Sequence, residues 1–101
     1  MITIYGSPLC KDCVALKTSL DLSDVEYEYI DITSSMKNLK SFLLIRDNNK
    51  LFDQIKKENK VGIPTIIEDD VITLDYKDWL IKHNLKVVET INTCSLDGKN
   101  C

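Results

Sequence analysis

Apolar residues recur with two different periods along this chain, and the changes of period mark its elements. Residues 1–5, Met-Ile-Thr-Ile-Tyr, form a short apolar, β-branched run that ends at Gly6-Ser7-Pro8. This predicts a buried strand leading into a loop. From Cys10 the spacing becomes helical: Cys13, Leu16 and Leu20 share one face, with Val14 and Ala15 beside them. An amphipathic helix of about three turns is expected there. Val25 to Ile32 then alternates, with Val25, Tyr27 and Tyr29 opposite Glu26 and Glu28. Beyond Glu28 the apolar side passes to Ile30 and Ile32, so the stretch predicts a second strand with apolar residues on both faces.

Thr33-Ser34-Ser35 offers helix caps, and Met36, Leu39, Phe42, Leu43 and Ile45 follow at helical spacing. Asp47-Asn48-Asn49 breaks that helix, and Leu51, Phe52 and Ile55 predict a shorter one ending near Asn59. Gly62-Ile63-Pro64 is punctuation before a short buried strand, Thr65-Ile66-Ile67. Glu68-Asp69-Asp70 turns the chain into Val71-Ile72-Thr73-Leu74, which makes a β-hairpin. Asp75, three residues before Asp78, starts a last helix whose apolar side is Tyr76, Trp79 and Leu80. The order is β-α-β-α-(α)-β-β-α. The right-handed crossover rule makes the first two strands parallel and the hairpin is antiparallel. A four-stranded mixed sheet with helices on both faces follows. Leu85 to Ile91 has no deciding period; a strand, a helix extension and an extended wrap all fit.

The 101 residues, 44% of them hydrophobic, suffice for one domain. The net charge of −3 and the lack of a dense Lys/Arg block argue against nucleic acid as a partner. The lysines around Lys56–Lys60 are interrupted by Glu58 and read as a solvated helix face. No apolar run approaches the ~20 residues that span a bilayer. The first residues lack the basic start and small-residue cleavage site of a secretory signal, so residence in the cytoplasm, away from membranes, is expected; a monomer is the expected state. Thiols there are kept reduced. The four cysteines, Cys10, Cys13, Cys94 and Cys101, therefore point to redox chemistry or metal more than to structural disulfides.

Cys10-Lys11-Asp12-Cys13 falls where the first strand gives way to the first helix. Unpaired N–H groups and the macrodipole there favour a thiolate at Cys10. A cysteine so placed can have its pKa lowered from about 8.5 into the range ~3.5–7.5. Lys11 adds to this effect and Asp12 opposes it. Cys13, one turn further on the apolar face, is expected to be buried and less ionised. The pair suits a two-step exchange in which Cys10 attacks a disulfide and Cys13 resolves the mixed disulfide. A metal knuckle and two inert core cysteines are the competing readings. Zinc normally needs a second pair or partner histidines, and the one histidine is His83, so no metal site is assigned. At the chain's end Asp97-Gly98 forms a turn signal between Cys94 and Cys101. That second pair reads as a relay or regulatory disulfide, as incidental thiols or as a metal site. Tyr5, at the end of the first strand, either flanks the substrate groove or packs as a strand end.

Three features resemble the glutaredoxin branch of the thioredoxin superfamily. They are the run Ile2-Thr3-Ile4-Tyr5-Gly6-Ser7-Pro8-Leu9-Cys10-Lys11-Asp12-Cys13, the segment Gly62-Ile63-Pro64-Thr65-Ile66-Ile67, and the element order as far as about residue 83. The resemblance implies a thioredoxin-like, three-layer α/β/α fold for residues 1–84, with residues 85–101 as an extension carrying the second cysteine pair. It implies a thiol–disulfide oxidoreductase acting through Cys10 and Cys13 on protein or low-molecular-weight disulfides, served by a thiol or reductase electron donor. It implies a cis Ile63–Pro64 bond against the cysteines, where Ile63 backbone groups pair with an extended substrate. Tyr5, Lys11, Ile63, Pro64 and Asp75 are the substrate-side candidates; Asp75 either caps its helix or holds a glutathione amine. No tightly bound cofactor is implied, and glutathione is a candidate reductant.

The departures are specific. Lys11-Asp12 stands where the family usually has Pro-Tyr, and Gly6-Ser7-Pro8-Leu9 lacks a lysine ahead of the nucleophile. Ile72-Thr73-Leu74-Asp75 replaces a Gly-Gly motif, and Arg46–Lys60 is longer than in minimal members. Two other classes remain open: a redox sensor or arsenate-reductase-like protein, and a metal or iron–sulfur carrier. The Gly-Ile-Pro segment weighs against the first.

Overall fold

Nine short elements occupy the 88 residues that this structure, a computed structural model, describes. Cys94 and Cys101, with most of the expected extension, lie outside the described residues. The strands are β1 (Ile2–Gly6), β2 (Glu28–Asp31), β3 (Thr65–Glu68) and β4 (Val71–Thr73). The helices are α1 (Lys11–Asp21), α2 (Met36–Asp47), α3 (Asp53–Lys57) and α4 (Tyr76–Lys82), with a 3-10 turn over Lys50–Phe52. The sheet runs β2-β1-β3-β4; β2 is parallel to β1 and both β1–β3 and β3–β4 are antiparallel.

Strand alternation divides the core into two layers. Ile4 and Ile66 are cross-strand partners and face Leu16 and Leu20 of α1 and Trp79 and Leu80 of α4. Tyr5 and Ile67 point the other way, among Phe42 of α2 and Phe52 of the 3-10 turn. The sheet is thus covered on both sides, and the expected three-layer arrangement holds.

Local chemistry starts and stops the helices. Ser35 Oγ accepts the Asn38 N–H at 3.1 Å, and Asp75 Oδ1 accepts the Asp78 N–H at 3.1 Å, so both cap as expected. α3 and α4 end alike: Asn59 and Asn84 take left-handed φ values of 58° and 57°. The next amides, of Lys60 and Leu85, bond back to Ile55 and Leu80 carbonyls at 3.0 and 2.9 Å. Asparagine tolerates this conformation, which reverses the chain and satisfies the last carbonyls. After α4, residues 85–88 form neither helix nor strand and lie against the core. Leu85 and Val87 pack on the α1/α4 core, and the Val88 N–H donates to Ser19 Oγ at 3.0 Å.

One expectation changes. The second strand covers Glu28–Asp31, not Val25–Ile32. Its register pairs Thr3 with Glu28, so β1 has little left to pair with earlier residues. The Val25 N–H instead bonds Ser23 Oγ at 3.2 Å in a local turn. Val25 and Tyr27 still pack on the core, which accounts for the alternation seen in the sequence.

The hairpin turn carries a correctable cost. Asp69 and Asp70 have φ values of 49° and 69°, as a two-residue turn of the primed type requires. Aspartate adopts that region less readily than glycine. Asp70→Gly is expected to raise stability by about 0.5–1 kcal/mol, a gain of roughly 2–8 °C in thermal midpoint read by circular dichroism.

Candidate active site

Gly6 closes β1, and the chain reaches α1 through a loop fixed by its own polar groups. Ser7 is buried; its Oγ accepts the Leu9 N–H at 3.1 Å and bonds Thr33 Oγ1 at 3.1 Å. The Cys10 N–H donates to Ser7 O at 3.1 Å, and the Cys10 carbonyl accepts from Val14 at 3.0 Å. These bonds put Cys10 at the N-cap of α1 with extended backbone, φ −104° and ψ 120°. Its sulfur replaces the usual hydroxyl or carboxylate cap and accepts the Cys13 N–H at 3.3 Å.

The two thiols differ as the sequence leads one to expect. Cys10 is half-buried and Cys13 is 0% exposed. The hydrogen bond from the Cys13 thiol does most to stabilise the Cys10 thiolate, and the Cys13 and Asp12 backbone N–H groups add to it. Partial burial and the Asp12 charge oppose, and the Cys10 pKa is lowered to about 7. Cys13 is pushed strongly upward, first because its proton is held by Cys10 and then by burial; a Ser7 backbone bond acts the other way.

A groove of about 470 Å³ opens beside Cys10. Leu9, Ile32, Ile55, Val61, Ile63 and Leu74 give it apolar walls, and Lys60 brings a cation. The Ile63–Pro64 bond is cis, and the Ile63 carbonyl faces Cys10 Sγ at 3.8 Å. Arg46 of α2 donates to the Lys60 carbonyl at 3.1 Å and so ties down the approach to this segment.

The residues that build this site, a capping thiol, a thiol one turn behind it and an isoleucine–proline segment facing Cys10, all lie within a match to a known family. The glutaredoxin family profile matches residues 2–72. The chain belongs to the glutaredoxin family. Its fold is accordingly of the thioredoxin-like α/β kind, and family membership carries a general thiol–disulfide oxidoreductase-like role. A curated protein of Haemophilus influenzae (strain ATCC 51907 / DSM 11121 / KW20 / Rd), named "Uncharacterized protein", is 31% identical over 64 residues. That match covers 63% of this chain and 74% of the relative. No solved structure gives a significant match.

Against this glutaredoxin frame the substrate-side candidates separate. Ile63 and Pro64 line the groove with Cys10. Lys11 is the first residue of α1, next to Cys10 and exposed. Asp75 caps α4, and it is its neighbour Leu74 that lines the groove. Tyr5 does not reach the groove. Its place in β1, opposite Ile30 and Thr65, turns it into the α2 layer. There it is 7% exposed, its ring 5.7 Å from Phe42 and its hydroxyl 3.1 Å from Ser41 Oγ. Among the described residues no group of three or more His, Cys, Asp or Glu side chains could hold a metal ion, and no helix is long and apolar enough to cross a membrane.

Sequence reasoning found Ile63 but missed Ser7, Thr33 and the other apolar walls. Ser7 had a local signal, since a serine two residues before an amide it can bond is a turn former. Thr33 and the walls had none, because they come from segments far apart in the chain.

Proposed function

We propose that this glutaredoxin-family protein is a dithiol oxidoreductase that reduces protein or low-molecular-weight disulfides. The observation that carries the reading is the Cys10 sulfur: partly exposed at the start of α1, open to an apolar groove, with a protonated, buried thiol one turn behind. The Cys10 thiolate attacks one sulfur of a substrate disulfide and releases the other as a thiolate, which takes a proton. Cys13 then loses its proton, attacks Cys10 Sγ and releases the second substrate thiol. The substrate has gained two electrons and two protons, and the protein holds a Cys10–Cys13 disulfide. A donor thiol such as glutathione, or a reductase, returns it to the dithiol in a reducing compartment such as the cytoplasm. Ile63, Pro64 and the groove walls hold the chain on either side of the substrate disulfide, backbone to backbone. Lys11 offers a cation to acidic groups near the attacked sulfur. Cys94 and Cys101 serve as a second redox pair that exchanges with the first.

The test is alkylation of Cys10 with iodoacetamide across pH, followed by mass spectrometry. The rate is expected to rise through an inflection near pH 7, where the Cys10 thiol ionises. Cys13→Ala removes the hydrogen bond that does most to lower this pKa, so the inflection moves toward the ordinary value of about 8.5. At neutral pH the variant reacts about three- to tenfold more slowly, the greater nucleophilicity of the more basic thiolate offsetting part of the lost ionisation. A wild-type thiol that reacts no faster at pH 7 than free cysteine sinks the proposal.

A further inference from the structure

Cys13 must shed its proton inside the protein, and one phenol lies close to where the charge then forms. Gly6 lies between Cys13 and Tyr29. A Cβ on Gly6 would stand 2.5 Å from Tyr29 Oη and 3.2 Å from Cys13 Cβ. The phenol hydroxyl and the buried cysteine therefore share the space that glycine leaves open. On its other side Tyr29 borders a surface hollow of about 370 Å³ together with Lys17, Asp21 and Asp31. This hollow is separate from the groove beside Cys10, whose lining shares none of those residues. The tyrosine thus stands between the interior thiol and solvent, on a face the substrate does not occupy in the mechanism above.

We infer that Tyr29 is a positioning residue for the second step of thiol exchange, its hydroxyl stabilising the Cys13 thiolate as that thiolate forms. This inference rests on the dithiol reading of the site. The Ser7 backbone already gives Cys13 one donor. A phenol O–H supplies a second, and water in the hollow accepts the departing proton. The surroundings keep Tyr29 in its donor form. Burial, then the charges of Cys13 and Cys10, then Asp31 and Tyr27, all raise its pKa. Lys17 Nζ, 5.8 Å from the ring centroid, is the facing cation; it pairs with Asp21 at 3.1 Å and also bonds Tyr27 Oη at 3.2 Å. A hydroxyl held protonated beside a buried anion can only donate to it, and a neutral thiol sulfur accepts that bond far more weakly than a thiolate does. The bond is therefore stronger at the transition state than in the ground state, as a contribution to rate requires.

The experiment follows the full-length chain, with Cys94→Ser and Cys101→Ser as background, mixed with dithiobis-nitrobenzoate in a stopped-flow cell. Cys10 attack releases one coloured nitrothiobenzoate, and Cys13 attack on the mixed disulfide releases the other. Tyr29→Phe is expected to leave the first phase unchanged and slow the second about fivefold, the size of one lost hydrogen bond. The inflection of the second phase also moves to higher pH. Site-specific difluorotyrosine, which keeps the ring and lowers the phenol pKa, moves that inflection the opposite way. A second phase within twofold of wild type with an unmoved inflection overturns the inference. So does equal slowing of both phases, which marks a general effect on the start of α1. Absence of a second phase in the Tyr29 protein itself would instead overturn the dithiol reading.

Discussion

Serine at position 10 is expected to lower disulfide reduction by on the order of a thousandfold, whereas serine at position 13 leaves the first half of the reaction intact. The asymmetry follows from the two environments. Cys10 is the thiol that meets solvent, accepts the Cys13 N–H and ionises near neutrality. An alcohol there stays protonated at any working pH and is a poor nucleophile toward sulfur. Cys13 is buried and holds its proton, so it contributes nothing to the first attack beyond its hydrogen bond to Cys10. Cys13→Ser should therefore still form a mixed disulfide, and having no thiol to resolve it, should accumulate it. The measurement is non-reducing mass spectrometry after incubation with a disulfide substrate. Cys10→Ser gives no adduct at position 13, and Cys13→Ser gives a stoichiometric adduct at position 10. An adduct on Cys13 in the Cys10→Ser protein would reverse the assignment of attacking and resolving thiols. Turnover retained by Cys13→Ser would point to a reductant that attacks the mixed disulfide directly, and the two-thiol cycle would be abandoned.

How much of this was legible beforehand differs by the range of the forces involved. Cys10 and Cys13 were readable because a strand, a tight loop and a helix start are all local, and together they fix where the thiols lie. The capping roles of Ser35 and Asp75 were readable for the same reason. The shortened β2 was not, because its length depends on the neighbour it pairs with, and β1 begins only at Ile2. Tyr5 was ambiguous since a strand residue's face is settled by the whole sheet, and the α2 layer had room for its ring. Tyr29 looked like one more core aromatic on an alternating strand. Its nearness to Cys13 depends on the missing side chain of Gly6, a long-range coincidence with no local trace. The groove walls come from the loop before α1, the end of β2, α3, the segment before β3 and the link from β4 to α4, and nothing in their spacing announces a shared cavity.

Phe52 shows how the core and the site meet. It sits in the 3-10 turn, fully buried, with its ring edge-on to Phe42 at 6.1 Å between centroids. It also lies beneath the segment that carries Ile63. Gly62 has φ 103°, and a Cβ there would stand 3.1 and 3.2 Å from Phe52 ring carbons. Phe52→Ala is thus expected to cost about 3–5 kcal/mol, from lost burial and from the cavity left in the α2 layer. A domain of this size has about 5–15 kcal/mol to lose, so the thermal midpoint should fall by more than about 12 °C. Phe52→Leu, which refills most of the space, should recover over half of that loss. Function should follow packing. With its support gone, the Gly62–Pro64 segment loses its fixed distance to Cys10, and substrate binding weakens more than the reactivity of the thiol. Assayed at a temperature where the variant is folded, KM for a peptide disulfide should rise severalfold while Cys10 alkylation is unchanged. Urea unfolding with a loss below about 1.5 kcal/mol would mean that the layer closes over the gap. A fall in alkylation rate matching the rise in KM would place the effect at the start of α1 instead of at the groove.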